Sequence, residues 1–385
     1  MSLDYRQIHQ QVKHLGETAP ARENRLQVLR QQAWQLLQDN AGELESLRQK
    51  VQTVVRHYDP SLRCALPAAE ALNAHAPPPP LPERILLLAA DGSQIYYDRQ
   101  SAAEYFLINI GTLRLAYGET LTPVVSVESD LYYGDDLQIA GGYPSEEKIS
   151  LLRDLRERQV LAEMVESSGQ PAITLTDGRL ELWGASPEEE GGEAGDQSLA
   201  VFLESLARLQ AAGATAAGYV DKPGEDYLVR LLEVAWLPPE EAKERPLLGV
   251  RDVDLLRRIL APGERSAVFA VQSRSARTYR RKDEALAPHF FYLNVGRPEH
   301  PWLARVDILA WVAQDPHKLD DLHAVLLHQC GMLGSRPYPY ALHRAHEIAR
   351  VTPDEKEQLD MMIANELYKH GLQGEQSNKQ FHKTR

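Results

Sequence analysis

The sequence predicts an α/β protein, a mixed sheet flanked by helices, with a helical extension at its N-terminus. Three observations predict this fold. Helical spacing of apolar residues dominates residues 5–57, a proline-rich stretch follows, and strand-like and helix-like patterns alternate from residue 84. A chain of 385 residues with 43% hydrophobic and 25% charged residues has an ordinary globular composition. The net charge of −13 excludes a uniformly basic surface but leaves room for a local basic channel.

Residues 1–66 are expected to form a helical extension. Apolar residues recur along two stripes with helical spacing: Leu26, Leu29, Ala33, Leu36 and Leu37, then Leu44, Leu47, Val51, Val54 and Val55. The stripes predict a helical hairpin that packs on a partner subunit or braces the core; a decorative extension is the alternative. Four consecutive prolines in "LPAAEALNAHAPPPPLPER" exclude a continuing helix, so residues 67–83 are assigned to a linker and residues 84–370 to the main domain.

The main domain begins with a pattern rich in strands. A buried strand is predicted in "RILLLAA", and further strands in "EYFLINIGTLRLAYG" and "TPVVSVESDLYYG". The segment "SEEKISLLRDLRERQVLAEMVES" predicts a long helix that Ser145 opens, with Glu146 and Glu147 in its first turn. The strand "AITLT" then ends at Asp177.

Helices and strands alternate in the rest of the chain. Helices are expected in "SLAVFLESLARLQAAG" and "EDYLVRLLEVAWL" and over residues 319–334 and 352–370, and strands in "ATAAGYVDKP", "FFYLNVG" and "LARVDILAWVA". An acidic, mobile loop is expected at residues 186–197, and a disordered tail at residues 371–385.

Cysteine content and hydropathy restrict the compartment. The two cysteines, Cys64 and Cys330, exclude a disulfide framework and favour a reducing cytoplasm, and Cys330 is expected to be buried. No apolar run approaches the roughly 18 residues of a membrane span, and the N-terminus has no apolar signal core. The sequence therefore predicts a cytoplasmic protein that does not enter a membrane.

Two predicted strands each deliver an aspartate followed by a glycine, Asp91-Gly92 and Asp177-Gly178. The glycine allows a sharp turn at the strand end and leaves the carboxylate unobstructed. Either pair alone is a common turn signal. Because α/β sheets gather catalytic side chains at strand ends, two such acids in one domain indicate a shared site.

The predicted helix between these strands carries Glu157 and Glu163, whose alternative role is a solvated helix face. Converging carboxylates repel one another unless a cation lies between them. Their hard oxygen atoms suit Mg²⁺ or Mn²⁺, and two such ions held by shared acids can promote phosphodiester cleavage.

Downstream, "GSRPYPYALHRAHEIARV" places Tyr338-Pro339 before a predicted helix that begins with His343 and His346. A histidine beside acids can complete a metal site or transfer the leaving-group proton, whereas a helix-surface histidine is the alternative.

A local basic run is the candidate strip for binding a nucleic-acid backbone, with a solvated mobile loop as the alternative. The cations of this run are Arg265, Arg274, Arg277, Arg280, Arg281 and Lys282, and the aromatic residue Tyr279 lies between them in the sequence.

Taken in order over residues 84–370, these features resemble the NurA nucleases. The resemblance rests on Asp91-Gly92-Ser93, a glutamate-bearing helix before the strand that ends in Asp177-Gly178, the strand exit "GYVDKP" and the element "YPYALHRAH". It implies an RNase H-like fold and a homodimeric, Mn²⁺- or Mg²⁺-dependent DNA nuclease. The family's activities are 5′ to 3′ exonuclease and single-strand endonuclease, and its partner is a HerA-type hexameric ATPase, a translocase that acts with it in DNA end resection and repair.

The resemblance also implies the site residues. Asp91 and Asp177 match metal-binding aspartates, and Tyr338 and His346 match the C-terminal element, with His346 as a further metal ligand. The helix glutamate is Glu157 or Glu163. Glu157 is preferred because it opens a Glu-x₃-Leu-x₂-Met register that faces one side, and His343 replaces His346 if the C-terminal register shifts.

Two other classes of protein are compatible with part of the pattern. An actin-like ATPase also has an Asp-Gly turn after a strand, but it needs a second glycine-rich phosphate turn, for which "TDGRLELWG" is a poor match. A non-catalytic scaffold for a DNA motor accounts for the helical extension but has no use for two strand-end aspartates.

Overall fold

The computed structural model describes residues 3–99, 104–119, 122–137, 144–182 and 193–372. The chain forms two compact units. The first consists of Met1–Pro78, Asp221–Arg281 and Ala287–Arg305, and the second of Pro79–Val220, Lys282–Leu286 and Val306–Arg385. Each unit is therefore assembled from segments that are distant in sequence.

The helices and strands are numbered in chain order. They are α1 (Tyr5–Asp39), α2 (Leu44–His57), β1 (Cys64–Pro67), β2 (His75–Ala76), β3 (Ile85–Ile95), β4 (Tyr105–Tyr117), β5 (Val124–Tyr133), α3 (Glu146–Ser168), β6 (Ala172–Asp177), α4 (Glu193–Ala211), β7 (Thr215–Val220), α5 (Tyr227–Trp236), α6 (Asp252–Leu256), β8 (Arg265–Ser266), β9 (Phe269–Gln272), α7 (Arg274–Lys282), β10 (Pro288–Asn294), β11 (Leu303–Leu309), α8 (Ala310–Ala313), α9 (Pro316–Gly331), α10 (Tyr340–Ala349) and α11 (Pro353–Lys369). Short 3₁₀ helices cover Gly134–Leu137, Pro239–Glu241 and Glu284–Leu286.

The second unit contains a mixed sheet with the strand order β5-β4-β3-β6-β7. Strand β4 runs antiparallel to both β3 and β5, whereas β3, β6 and β7 are mutually parallel. If these five strands are numbered along the chain, their order is 3-2-1-4-5 with only the second reversed, which is the RNase H-like arrangement. The predicted RNase H-like mixed sheet flanked by helices is confirmed.

Helices α3 and α10 cover opposite faces of this sheet. Side chains alternate between faces along a strand, so Asp91 and Gly92 of β3 point to opposite sides. A Cβ atom on Gly92 would meet α3 at Arg153, whereas one on Gly111, the β4 partner of Asp91, would meet α10 at Ala345. Asp91 therefore faces α10.

Helix α3 begins where the sequence predicts. Ser145 is its N-cap, and the serine side chain accepts a hydrogen bond from the backbone N–H of Lys148. The helix ends at Gly169, whose φ of 64° is left-handed and therefore favours glycine.

Two strand predictions are corrected. The strand that contains Asp91 does not end there, because β3 continues through Gly92 to Ile95 and pairs with β4 along that length. The predicted turn at Asp91-Gly92 is therefore wrong. The segment "EYFLINIGTLRLAYG" forms the single strand β4 rather than several. The turn predicted at Asp177-Gly178 is confirmed, since β6 ends at Asp177 and Gly178 has a φ of 84°.

In the first unit the N-terminal helices pack into a core. Ala33 and Leu37 of α1 are buried together with residues of α2 and α5, and Leu29 and Leu36 pack against the same core. The helical N-terminus is confirmed, and its apolar stripes pack on residues from Asp221–Arg281. Strands β1, β9 and β10 are neighbours in this unit, and β8 pairs with both β2 and β10.

Other predictions fall partly outside the described residues. Residues 186–192 of the acidic loop expected at 186–197 lie outside the described residues. The tail expected at 371–385 also lies outside the described residues from residue 373 onward. The loop prediction is wrong from residue 193, because α4 begins at Glu193; acidic composition does not disfavour a helix, since glutamate has a high helix propensity. Both cysteines are free and buried, which confirms the expectation for Cys330. Among the helices of the described ranges, none is long and apolar enough to cross a membrane.

Candidate active site

Asp91 and Asp177 lie side by side at the point where β6 ends. Strands β3 and β6 are parallel, and their register pairs Ala90 with Thr176, so the next residue of each strand is an aspartate. Beyond this point β3 continues without β6 beside it. The Gly178 N–H, which donates to the Tyr219 carbonyl at 2.8 Å, holds the turn after Asp177. We call this place, where β6 has ended and β3 continues, the opening between β3 and β6, and the two carboxylates lie at it.

Glu157 reaches this opening from α3. Its side chain is only 4% exposed, and its Oε2 lies 2.5 Å from an Arg158 guanidinium nitrogen. The other carboxylate oxygen, Oε1, would be 2.9 Å from a Cβ atom placed on Gly92. Gly92 is therefore required for the close approach of α3 to β3 rather than for a turn.

Burial and the charge of Asp91 both raise the pKa of Glu157 and of Asp177. Burial raises the pKa of Glu157 to about 8, the charge of Arg158 opposes this shift, and Asp154 and Asp91 add to it. Asp177 is exposed as a residue, but desolvation of its carboxylate raises the pKa, and the charge of Asp91 raises it further. Such mutual repulsion is what a bound cation would relieve.

His346 reaches Asp91 from the opposite face. The imidazole Nδ1 lies 2.7 Å from Asp91 Oδ2, and the histidine side chain is 64% exposed. Helix α10 lies directly on β4, because a Cβ atom on Gly111 would come within 2.5 Å of the Ala345 oxygen and the Ala349 nitrogen. This close packing brings a residue from far along the chain to the first aspartate.

Both ends of α10 are held by polar side chains. At its start, Gln329 Oε1 accepts a hydrogen bond from the Ala341 N–H at 2.7 Å. At its end, the Ala349 carbonyl accepts hydrogen bonds from Ser93 Oγ at 2.5 Å and Asn109 Nδ2 at 2.7 Å. The sequence analysis missed Gln329 and Asn109 as positioning residues, although a buried amide within an apolar strand or helix is a usable signal.

Tyr338 contacts the second aspartate. Its side chain hydrogen-bonds to Asp177, which lowers the pKa of that carboxylate against the effects of burial and of Asp91. The Tyr338 ring packs edge-on against Tyr219 of β7, with centroids 5.6 Å apart and planes at 87°. The tyrosine is thereby held at the end of β6.

Two other candidates lie elsewhere. Glu163 follows Glu157 by six residues, which places it on a different face of α3. Its side chain is 47% exposed and pairs at 3.0 Å with Arg156, which also pairs with Glu128 of β5. His343 Nε2 lies 3.5 Å from Glu347 on α10 itself. The structure thus brings Asp91, Glu157, Asp177, Tyr338 and His346 together, without Glu163 or His343.

The family model of the NurA domain matches residues 86–351, which is well over half of the chain. The chain belongs to the NurA family. It is therefore a nuclease, a hydrolase that cleaves nucleic acid. The span matched to the NurA domain contains all five residues assembled above and excludes α1 and α2.

Solved structures give further similarities to this NurA chain. The NurA nuclease from Sulfolobus solfataricus is 15% identical, with 84% of this chain and 92% of that chain covered and a TM-score of 0.49. The catalytic domain of human endonuclease V is 13% identical, with 84% and 98% covered and a TM-score of 0.34. LC9-RNase H1 is 12% identical, with 36% and 63% covered and a TM-score of 0.23. Curated protein sequences give no significant match.

The basic run of this NurA protein forms β8, β9 and α7. Arg277 and Arg280 each donate a hydrogen bond at 2.9 Å to a backbone carbonyl, of Pro60 and Val271 respectively. Arg274, Arg281 and Lys282 are exposed on α7. Burial lowers the pKa of Arg277, and the charges of Arg274, Arg281 and Arg280 lower it further, as in a dense positive cluster.

Arg265 does not belong to the exposed strip, because it is buried in β8 and pairs with Glu70 at 3.1 Å. The expectation of a mobile loop is also wrong, since regular strands and a helix cover most of the run.

Proposed function

We propose that this NurA protein is a divalent-metal-dependent deoxyribonuclease whose active site is the opening between β3 and β6. The observation that carries the proposal is the convergence of three acids from three separate elements: Asp91 and Asp177 lie on neighbouring strands in register, and Glu157 lies against Gly92. An exposed histidine bonded to Asp91 adds an imidazole at the same place. Such a set suits phosphodiester hydrolysis.

The donor chemistry fits Mn²⁺ or Mg²⁺, which prefer oxygen ligands and accept imidazole. Asp91, Asp177 and His346 are the residues that would hold the ion. In the described part of the chain no three histidine, cysteine or acidic side chains already form a metal-binding group; Asp91 is hydrogen-bonded to His346, and Glu157 is paired with Arg158. Such an ion supplies an activated water and stabilises negative charge on the phosphate.

The chain's own residues have separate roles. His346 is exposed and bonded to Asp91, which holds its imidazole beside the first aspartate, where it would serve as a ligand of the ion. Tyr338 holds the Asp177 carboxylate by a hydrogen bond and so fixes its orientation. Buried Arg158 balances the charge of Glu157 and keeps this acid in position at the opening.

We also propose a wider role, which rests on the resemblance to the family. We assign 5′ to 3′ exonuclease and single-strand endonuclease activity to a cytoplasmic homodimer that works with a HerA-type hexameric translocase in DNA end resection and repair. The charge distribution supports this assignment. A chain of net charge −13 with a basic α7 binds DNA weakly at most of its surface and relies on a motor to supply substrate.

The proposal is tested with labelled single- and double-stranded DNA in Mn²⁺, Mg²⁺ or EDTA. We expect the wild type to cleave DNA with either ion and to be inactive in EDTA. Asp91→Asn should lose roughly 100- to 1000-fold in rate, the range for removing one electrostatic group from an active site. Asp320→Asn, at an exposed acid of α9 in the same unit, is the control. Cleavage that survives EDTA or Asp91→Asn would contradict the proposal.

The exposed cations of α7 are expected to bind the DNA backbone. Replacing Arg281 and Lys282 together by alanine should weaken DNA retention at low salt and reduce the slope of log K against log salt by about 1 to 2. Arg277 and Arg280 are less suitable, since both also hold backbone carbonyls. The charge-matched control replaces Lys243 and Arg257, two exposed cations of the same chain. If both double variants weakened DNA binding equally, α7 would be ordinary solvated surface without a specific role in binding DNA.

A further inference from the structure

Arg153 is a cation of α3 that lies against Gly92, between the charges of Asp91 and Glu157. A Cβ atom on Gly92 would come within 2.5 Å of Arg153 Cγ, so the arginine stem crosses the strand where β3 has no side chain. Its Nε lies 3.5 Å from Glu157 Oε1. Burial opposes the charged form of its guanidinium, but the charge and hydrogen bond of Asp154, with the charges of Glu157 and Asp91, raise the pKa. Gly92 therefore makes room for this arginine as well as for Glu157.

The guanidinium of Arg153 is incompletely bonded. Its Nε and Nη2 donate to Asp154 Oδ1 at 3.2 and 2.7 Å, and its Nη1 donates to Gln94 Oε1 at 3.1 Å. An arginine has five N–H donors, so two have no acceptor in the described part of the chain. The side chain is 27% exposed, so Arg153 is only partly enclosed.

The neighbouring arginines of α3 are occupied differently. Arg158 is buried and bonded to Glu157, to Thr176 and to two backbone carbonyls. Arg156 is paired with Glu163 and Glu128, away from the assembled acids. Arg153 alone among these three combines partial exposure with a position over Gly92.

We propose that Arg153 binds a phosphate group of the nucleic-acid substrate at the active site. The assembled acids repel an approaching phosphodiester, and a local guanidinium offsets this repulsion. Its planar fork can donate two parallel hydrogen bonds to phosphate oxygens, which a lysine cannot do. In this arrangement the phosphate accepts hydrogen bonds from the two N–H groups that have no acceptor, one on Nη1 and one on Nη2, while the stem stays over Gly92. The inference deepens the proposed function and rests on it.

The test measures DNA binding without metal, in the Asp91→Asn background so that no cleavage occurs. A short labelled single-stranded oligonucleotide is titrated with full-length protein in EDTA and followed by fluorescence anisotropy. Arg153→Met, which keeps an unbranched apolar stem over Gly92, should weaken binding by roughly 10- to 100-fold, the range for hydrogen bonds to a charged group. Arg153→Lys should recover part of this loss. Arg156→Met, the control on the same helix, should bind within about twofold of the background protein.

A second variant keeps the arginine but displaces it. Gly92→Ala places a methyl group against the Arg153 stem and should weaken oligonucleotide binding in the same assay. Unchanged binding in both Arg153→Met and Gly92→Ala overturns the role of Arg153. Equal losses of binding in Arg153→Met and Arg156→Met also overturn it, because any positive charge on α3 would then have the same effect. If Asp91→Asn abolishes cleavage while Arg153→Met binds normally, the metal-dependent nuclease stands and only the arginine inference fails. Persistent cleavage by Asp91→Asn is instead a failure of the proposed function.

Discussion

Glu157→Gln is expected to lower the rate of DNA cleavage by roughly 100- to 1000-fold, whereas Glu163→Gln should leave it within about twofold. The two glutamates lie on one helix, but only Glu157 is buried at the opening between β3 and β6. Glu163 is half exposed and pairs with Arg156. Single-turnover cleavage with Mn²⁺ separates the two variants directly.

Glutamine is a suitable replacement because it preserves shape and burial. Burial raises the pKa of Glu157 to about 8, so the site disfavours the charged carboxylate. The neutral amide keeps the shape of the side chain at this buried position, and thermal unfolding of both variants should match the wild type within a few degrees. A large loss of activity in Glu163→Gln, with Glu157→Gln active, would place the chemistry on the other face of α3.

The sequence alone could not separate these glutamates by helical periodicity. Helix α3 has buried residues on more than one side, among them Leu155, Val160 and Leu161, because it packs against both the sheet and α4. A helix that is apolar on several sides has no single solvated face from which to infer direction. The Glu-x₃-Leu-x₂-Met register pointed to Glu157, and the structure places that residue beside Asp91.

The two Asp-Gly pairs show why a local sequence motif does not fully predict the structural role of its residues. At Asp177-Gly178 the glycine adopts a positive φ and the strand ends, as turn chemistry predicts. At Asp91-Gly92 the same dipeptide lies inside a continuing strand, and the glycine accommodates Arg153 and Glu157. Both uses require glycine, but the second depends on a helix that packs from elsewhere in the chain. No local pattern contains that information.

The rest of the site could not be predicted from local patterns either, because it depends on contacts between segments that are distant in sequence. The predicted strands and helices were largely confirmed, since apolar periodicity is a local property. The approach of α10 to β4 instead depends on Gly111 and on the amides of Asn109 and Gln329. The sequence offered His343 or His346 as a possible ligand or proton donor, but only the resemblance to NurA nucleases assigned His346 and Tyr338 to the site. Their contacts with Asp91 and Asp177 appear once the helix is docked.

Gly111→Ala is expected to destabilise the protein by about 1–3 kcal/mol, the usual cost of overpacking, and to reduce cleavage by roughly 100-fold. The added Cβ atom would lie 2.5 Å from the Ala345 oxygen and the Ala349 nitrogen, and backbone atoms cannot rotate away as a flexible side chain can. Helix α10 must therefore shift outward, and His346 must move relative to Asp91.

The matched control is Gly331→Ala, at the end of α9 in the same unit, where an added Cβ atom meets nothing within 4 Å. This substitution should leave cleavage unchanged and stabilise the fold slightly, because alanine is a better helix former than glycine. Denaturant unfolding and single-turnover cleavage distinguish the two. If Gly111→Ala were as stable as the wild type but inactive, the loss of cleavage would be due to the displacement of His346 and not to unfolding. If it were equally stable and fully active, the contact between α10 and β4 would have no part in positioning the histidine.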